Sequence, residues 1–274
     1  MDDRSTVTAT IQDPELIGLI PAAGTADRIS PLPCSKEIFP LGYQTIPHLT
    51  GPRPKVAAQY LLEKMKTAGA QKAFVILRKG KWDIPEFFGD GQLLDMPLAY
   101  LIMRRPYGVP YTLDQAFAFV SQATILFGFP DILFKPQDAF SIMLRKLSES
   151  GSDIVLGLFT AHNPKKMDMV ELDDTGQIRG LDIKPPKSRL KYTWIIAVWT
   201  PVFTRYMHQY VSTRNQMVDD RTTADKPEEF IGDVIQAALI EGLHVDKVFF
   251  DGGDYLDFGT PEDLVEADAF ARNY

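Results

Sequence analysis

The feature that most constrains this chain is a rhythm. Between residues 16 and 160, short apolar runs alternate with stretches of helical periodicity. LIGLI (16–20), KAFVIL (72–77), PLAYLIM (97–103), ATILFGF (123–129) and DIVLGLF (153–159) are too short for helices and read as buried strands. KVAAQYLLEKMKTAG (55–69) carries apolar residues at helical spacing and closes at Gly69. TLDQAFAFV (112–120) reads as a helix with Thr112 as its N-cap, and DAFSIMLRKLSESG (138–151) as one running from Asp138 to Gly151. Strands separated by helices of this length pair in parallel and need helices on both faces, which predicts an α/β class.

Past residue 165 the rhythm changes. VELDDTGQIRGLDIK holds two extended runs about a DDTG turn and predicts a hairpin, and YTWIIAVW (192–199) predicts a β-rich strand. Residues 212–227 have almost no apolar periodicity and read as a mobile surface loop. EEFIGDVIQAALIEGL (228–243) reads as an amphipathic helix, and Thr260 with Pro261 as the start of a last one. The expected architecture is a mostly parallel mixed sheet with helices on both faces and an antiparallel addition in the second half. Residues 1–15 read as a polar extension and 16–274 as a single domain, since no repeat or linker divides them.

Composition narrows the function. A net charge of -7 argues against binding a nucleic-acid duplex, whose phosphates demand a basic footprint, but leaves room for a small anion held by a few local cations. The single cysteine, Cys34, cannot form an intrachain disulfide and fits a reducing compartment. No apolar run approaches a membrane span, and the expected setting is the cytoplasm. The histidines show no metal-ligand spacing.

In a parallel α/β sheet, ligands bind beyond the carboxyl ends of the strands, where loops expose backbone N–H groups. LIPAAGTADRISPLPCSKEIFPLG (19–42) leaves the first strand at that edge. Gly24 lets the backbone approach a phosphate, and Arg28 and Lys36 offer a bidentate donor and a point charge. An irregular surface loop with an incidental Arg and Lys is the plainer reading of the same residues.

AAGTADRISPLPCSKEIFPLG resembles the signature AAGxGTRLxPLTxxxPKxLLPV of the sugar-1-phosphate nucleotidyltransferases, a family of Rossmann-like, GT-A-type fold. RPKVAAQYLLEKMKTAG, TLDQA, FGFPDILF, VELDDTGQIRGLDIKPPKS and YLDFGTPEDLVEA are similar to further family segments in the family's order. The resemblance implies that the first loop, with Ala23, Gly24 and Asp27, wraps a nucleoside triphosphate, and that Arg28 and Lys36 serve its phosphates. It assigns Arg105, Thr112 and Gln115 to the nucleobase, Asp182 and Lys184 to the sugar phosphate, and Asp131 and Asp233 to Mg2+. Taken singly, Asp131 could start a turn after Pro130 and Asp233 could lie on a solvated helix face.

The implied activity joins a nucleoside triphosphate to a sugar 1-phosphate, releasing pyrophosphate and giving a nucleotide sugar; assembly into homo-oligomers is implied as well. The departures are specific. Ala26 stands at the second loop glycine and Asp27 at the threonine, so a carboxylate borders the triphosphate loop. Two other functions stay open: a non-catalytic nucleotide- or sugar-phosphate-binding regulator, and a nucleotidyltransferase for a non-sugar phosphate acceptor.

Overall fold

The computed structural model describes residues 14–46, 49–103, 107–216 and 228–272. The apolar runs become strands as their patterns require. β1 (Leu16–Ala22), β4 (Lys72–Arg78), β5 (Leu98–Met103), β6 (Thr124–Gly128), β8 (Ile154–Thr160), β9 (Met169–Leu172), β10 (Ile178–Asp182), β11 (Tyr192–Trp199) and β12 (Val245–Phe249) form a nine-stranded sheet among the described residues. Its central line runs β5, β4, β1, β6, β11, β8, β12, and every pairing along it is parallel except the two made by β11. The antiparallel hairpin β9–β10 joins at the first residues of β11, where Tyr192 and Thr193 pair with Val170 and Met169. The mixed sheet with a late antiparallel addition is therefore the observed architecture.

Side-chain alternation divides two cores. On β1, Ile20 and Ala22 face one core while Ile17 and Leu19 face the other, the period-two pattern of a strand buried on both sides. The first core is covered by α1 (Ala57–Thr67), α2 (Asp83–Phe88) and α5 (Ala139–Ser150); the second by α3 (Val109–Asp114), α4 (Phe117–Val120), α6 (Pro201–Gln216) and α7 (Ile231–Ile240). Among the described residues, no helix is long and apolar enough to cross a membrane.

Two local expectations are corrected and one further element is found. The helix expected over 112–120 starts earlier and breaks in two. Gly108, at φ +125°, sets its start, Pro110 sits in its first turn, and the Thr112 hydroxyl donates back to the Gly108 carbonyl at 3.0 Å from inside the helix. The loop expected from residue 212 is helical as far as Gln216, because Phe203, Met207 and Val211 form a buried stripe that carries α6 onward. The rest of that segment, 217–227, lies outside the described residues, as does most of the polar extension. The segment after the first loop forms a hairpin, β2 (Pro40–Gln44) with β3 (Arg53–Val56), which its weak alternation hides.

A third apolar cluster fixes that loop. Ile29 and Leu41 are buried with Tyr60 of α1, Leu133, Phe258, and Ala267 of α8 (Pro261–Arg272). Leu133 and Phe258 belong to a second antiparallel pair, β7 (Ile132–Phe134) with β13 (Tyr255–Asp257), and to the residue that follows it. The start and the end of the chain thus pack together at the strand edge where ligands are expected.

Gly108 is the tightest backbone approach in this region. A Cβ there would stand 2.1 Å from the Glu229 carbonyl oxygen, to which Gly108 is bridged. Gly108→Ala combines a disfavoured φ with a backbone clash. Urea denaturation should show a loss of about 2–4 kcal/mol, against a change below about 0.5 kcal/mol for Gly151→Asn, whose open αL position tolerates a side chain.

Candidate active site

The site is built from loops at the carboxyl ends of β1 and β6 and from the end of β13. Lys36, at the close of the first loop, reaches across 95 positions to Asp131, which follows β6; its Nζ donates to Asp131 Oδ2. Their side chains are 16% and 15% exposed, so the pair is largely out of water. Burial alone would lower the Lys36 pKa, but the Asp131 carboxylate overrides it and holds the ammonium above the ordinary lysine value. Lys36 in turn holds Asp131 below the usual carboxylate range against burial.

A second carboxylate faces this pair. Asp257, the last residue of β13, has its pKa pushed up to about 6 by burial and by the Asp131 charge, with Lys36 and Arg28 opposing. Arg28 lies against Gly259, where a Cβ would come within 3.0 Å of a guanidinium nitrogen. Two strands paired side by side thus deliver two carboxylates to one point, and the first loop delivers the two cations that oppose them.

Two cavities meet there. The first, of about 560 Å³, is lined by Ala23, Gly24, Lys36, Tyr107, Thr112 and Asp131, among others. The second, of about 460 Å³, is lined by Arg28, Asp131, Asp168, Lys184, Trp194 and Asp257, among others. Phe129, Asp131 and Glu228 border both.

The sequence-predicted residues divide accordingly. Ala23, Gly24, Thr112 and Lys36 meet at the first cavity, and Arg28 and Lys184 at the second. Lys184, at φ +43°, carries its Nζ 3.5 Å from the centre of the Phe230 ring. Asp27 borders neither cavity; its Oδ2 accepts the Thr25 hydroxyl at 2.7 Å, which turns the carboxylate onto its own loop. Gln115 is exposed with its amide donating to the Tyr111 carbonyl, and Asp182 is exposed at the end of β10. Arg105 lies outside the described residues.

Asp233 is not brought to Asp131. It sits in the first turn of α7, where its Oδ2 accepts the Phe230 N–H at 2.9 Å, and it lines neither cavity. The carboxylate that faces Asp131 is Asp257. Its signal was present in YLDFGTPED, but a single Asp in a strand end does not announce which partner the sheet will give it.

Sequence reasoning also missed Glu37, which lines the first cavity and whose Oε1 accepts the Lys81 ammonium at 2.6 Å. Burial pushes Glu37 up and Lys81 down against their mutual attraction. The pair ties the first loop to the segment between β4 and α2, and Ser35 adds two bonds to Asp83, both at 2.7 Å.

Among the described residues, no group of three or more His, Cys, Asp or Glu side chains forms a ready-made metal cage. Asp131 and Asp257 still suit a magnesium ion. Such an ion needs hard oxygens, is commonly held by one or two carboxylates, and completes its shell with water and substrate phosphate.

Comparison with known proteins adds the lineage. Residues 17–273 match the family model described as Nucleotidyl transferase. The chain belongs to the nucleotidyl transferase family. This chain is 24% identical over 255 residues to the low-salt glycan biosynthesis nucleotidyltransferase of Haloferax volcanii, covering 91% of this chain and 64% of that protein. It is 22% identical to the glucose-1-phosphate thymidylyltransferase of Streptomyces griseus, again covering 90% of this chain and 64% of the relative. The chain therefore spans somewhat less than two thirds of the length of these two relatives. The enzyme of the same name from Mycolicibacterium smegmatis is 24% identical, with 93% and 82% covered.

Among solved structures, one described as a glucose-1-phosphate thymidylyltransferase of Bacillus anthracis with a bound sucrose superposes with a TM-score of 0.78 at 19% identity, covering 94% of this chain and 96% of that one. A UDP-glucose pyrophosphorylase holding UDP-glucose gives 0.73 at 14% identity, covering 95% and 100%. These agree with the α/β architecture described above.

The facing carboxylates have a measurable consequence. A native pKa of about 6 lies above the 3.8 of an ordinary Asp, so native Asp257 binds more protons than its unfolded form between those values, and stability falls as pH rises through that window. In the presence of a chelator, Asp257→Asn should be more stable than the parent by roughly 1–3 kcal/mol above pH 6. The advantage should fade as pH falls toward 4, as read by denaturant titration at each pH.

Proposed function

We propose that this chain transfers a nucleoside monophosphate from a nucleoside triphosphate to a sugar 1-phosphate, releasing pyrophosphate and giving a nucleotide sugar. One observation carries the reading: two cavities, the first lined by Lys36 and the second by Arg28 and Lys184, share Asp131 as a common wall. A two-substrate transfer needs such a junction, with the donor's α-phosphorus on one side and the attacking phosphate oxygen on the other. The names of the relatives, which include glucose-1-phosphate thymidylyltransferases, point to glucose 1-phosphate as the first acceptor to try.

In this reading the triphosphate lies in the first cavity, with its phosphates along the backbone of Ala23 and Gly24 and the Lys36 ammonium beside the α-phosphate. The acceptor lies in the second, its phosphate between Arg28 and Lys184. An oxygen of the acceptor phosphate attacks the α-phosphorus, the bond from that phosphorus to the bridging oxygen breaks, and pyrophosphate leaves with the electron pair. The attacking oxygen is already anionic near pH 7, so no side chain has to remove a proton from it. Lys36 and Arg28 act by position and charge, since the transition state spreads negative charge over phosphoryl oxygens. A divalent cation held by Asp131 and Asp257 would neutralise phosphate charge.

Residues 16–274 serve this chemistry as one unit, in a cytoplasmic setting with small-molecule partners, in keeping with the net charge of -7. Asp27 is exposed, accepts the Thr25 hydroxyl and borders neither cavity, so its charge is set toward solvent rather than toward a triphosphate in the first cavity.

The test is pyrophosphate release from each common nucleoside triphosphate with Mg2+ and glucose 1-phosphate, followed by other sugar phosphates and phosphocholine. The expected result is release that requires both substrates, a loss of at least about 100-fold in kcat/KM for Lys36→Met, and a change within about threefold for Asp27→Ala. Nucleotide binding without pyrophosphate release across the whole acceptor panel would make the chain a binding regulator instead.

A further inference from the structure

The second cavity holds a carboxylate that phosphate transfer does not use. Asp168 stands immediately before β9, and its carbonyl accepts the Thr193 hydroxyl of β11 at 2.8 Å, which fixes its backbone. Its side chain is carried toward the first turn of α7: a Cβ on Gly232 would stand 2.3 Å from Asp168 Oδ2, so glycine there makes room for the carboxylate. The other oxygen, Oδ1, is buried and has no well-aligned hydrogen-bond donor. Trp194, 3% exposed on β11, has its buried Nε1 beside Asp168, where the indole N–H favours the charged carboxylate. Folded chains rarely keep such groups open without a use for them.

Both residues line the cavity together with Arg28 and Lys184, and its remaining wall mixes Lys165 and Lys166 with Ile132, Met167 and Ile195. A carboxylate in a cavity that takes a phosphate is repulsive unless it meets another part of the ligand. It is not needed as a base, because the attacking phosphate oxygen carries its own charge. What an unpaired carboxylate oxygen in that wall selects for is a hydrogen donor, and the donors of a sugar phosphate are its hydroxyls.

Resting on the acceptor class given above, we propose that Asp168 is the specificity-determining residue of the acceptor cavity, taking a hydrogen bond from one sugar hydroxyl while Trp194 positions its carboxylate. Arg28 and Lys184 hold the phosphate end and Asp168 reads the ring, so two anchors at opposite ends set the orientation of the attacking oxygen.

The experiment is calorimetric titration of glucose 1-phosphate and its monodeoxy analogues into the parent protein, Asp168→Ala, Asp168→Asn and Trp194→Phe, with nucleotide affinity measured in parallel. The expected result is that one analogue binds the parent at least about 10-fold more weakly than glucose 1-phosphate, and that Asp168→Ala loses the same factor for glucose 1-phosphate and nothing further for that analogue. Asp168→Asn, which keeps an acceptor oxygen, should recover part of the loss and gives the answer if the alanine variant fails to fold. Trp194→Phe should weaken glucose 1-phosphate less than Asp168→Ala does. Nucleotide affinity should stay unchanged throughout. Sugar-phosphate binding that is indifferent to Asp168→Ala, or weakened equally for every analogue, would overturn this inference alone. Intact nucleotide binding with no sugar-phosphate binding would overturn the acceptor class and this inference with it.

Discussion

A carboxylate drawn out of water at the end of β6 is what the rest of the site is arranged around. Asp131 keeps its charge because Lys36 reaches it from the first loop. Removing one member of such a pair leaves the other as an uncompensated charge, which typically costs about 3–5 kcal/mol. The loop that carries Lys36 is therefore tied to the sheet edge by electrostatics as well as by the burial of Ile29 and Leu41. Asp257 enters from β13, the strand paired with β7 directly after Asp131. The end of the chain thus completes a site that its beginning opens.

Charge is distributed with a consistent logic. The first cavity is lined by Lys36, and the second by Arg28, Lys165, Lys166 and Lys184. Three carboxylates near the phosphate paths have partners: Asp27 accepts the Thr25 hydroxyl, Glu37 pairs with Lys81, and Asp131 with Lys36. Asp168 is set back against α7 with one oxygen open. A chain with a net negative charge can handle anionic substrates this way because only local pairing matters at these distances.

Much of the fold was legible in the sequence because it rests on periodicity. The runs that became β1, β4, β5, β6 and β8 are apolar at nearly every position, as strands covered on both faces must be. The turn of the β9–β10 hairpin was announced by DDTG, where Asp173 accepts the N–H groups of Thr175 and Gln177 and Gly176 takes φ +78°. What escaped were elements whose cause is elsewhere in the chain. The start of α3 is set by Gly108 meeting Glu229, and α6 extends because its stripe finds the sheet.

The site was legible only in part, for the same reason. Lys36, Gly24, Thr112 and Lys184 are local features of loops and helices, and they line the cavities. The partner of Asp131 is a matter of sheet pairing: the β7–β13 register brings up Asp257, whereas Asp233, four residues from the chain position of Glu229, is spent on the first turn of α7. In the function proposed above, the metal and the chemistry belong to the Asp131–Asp257 junction. Mn2+ titration followed by electron paramagnetic resonance, in the presence of nucleoside triphosphate, tests it most directly. The account predicts that Asp131→Asn and Asp257→Asn each weaken Mn2+ binding at least about 10-fold while Asp233→Asn leaves it near the parent value. Loss of Mn2+ binding in Asp233→Asn with parent-like binding in Asp257→Asn would contradict it.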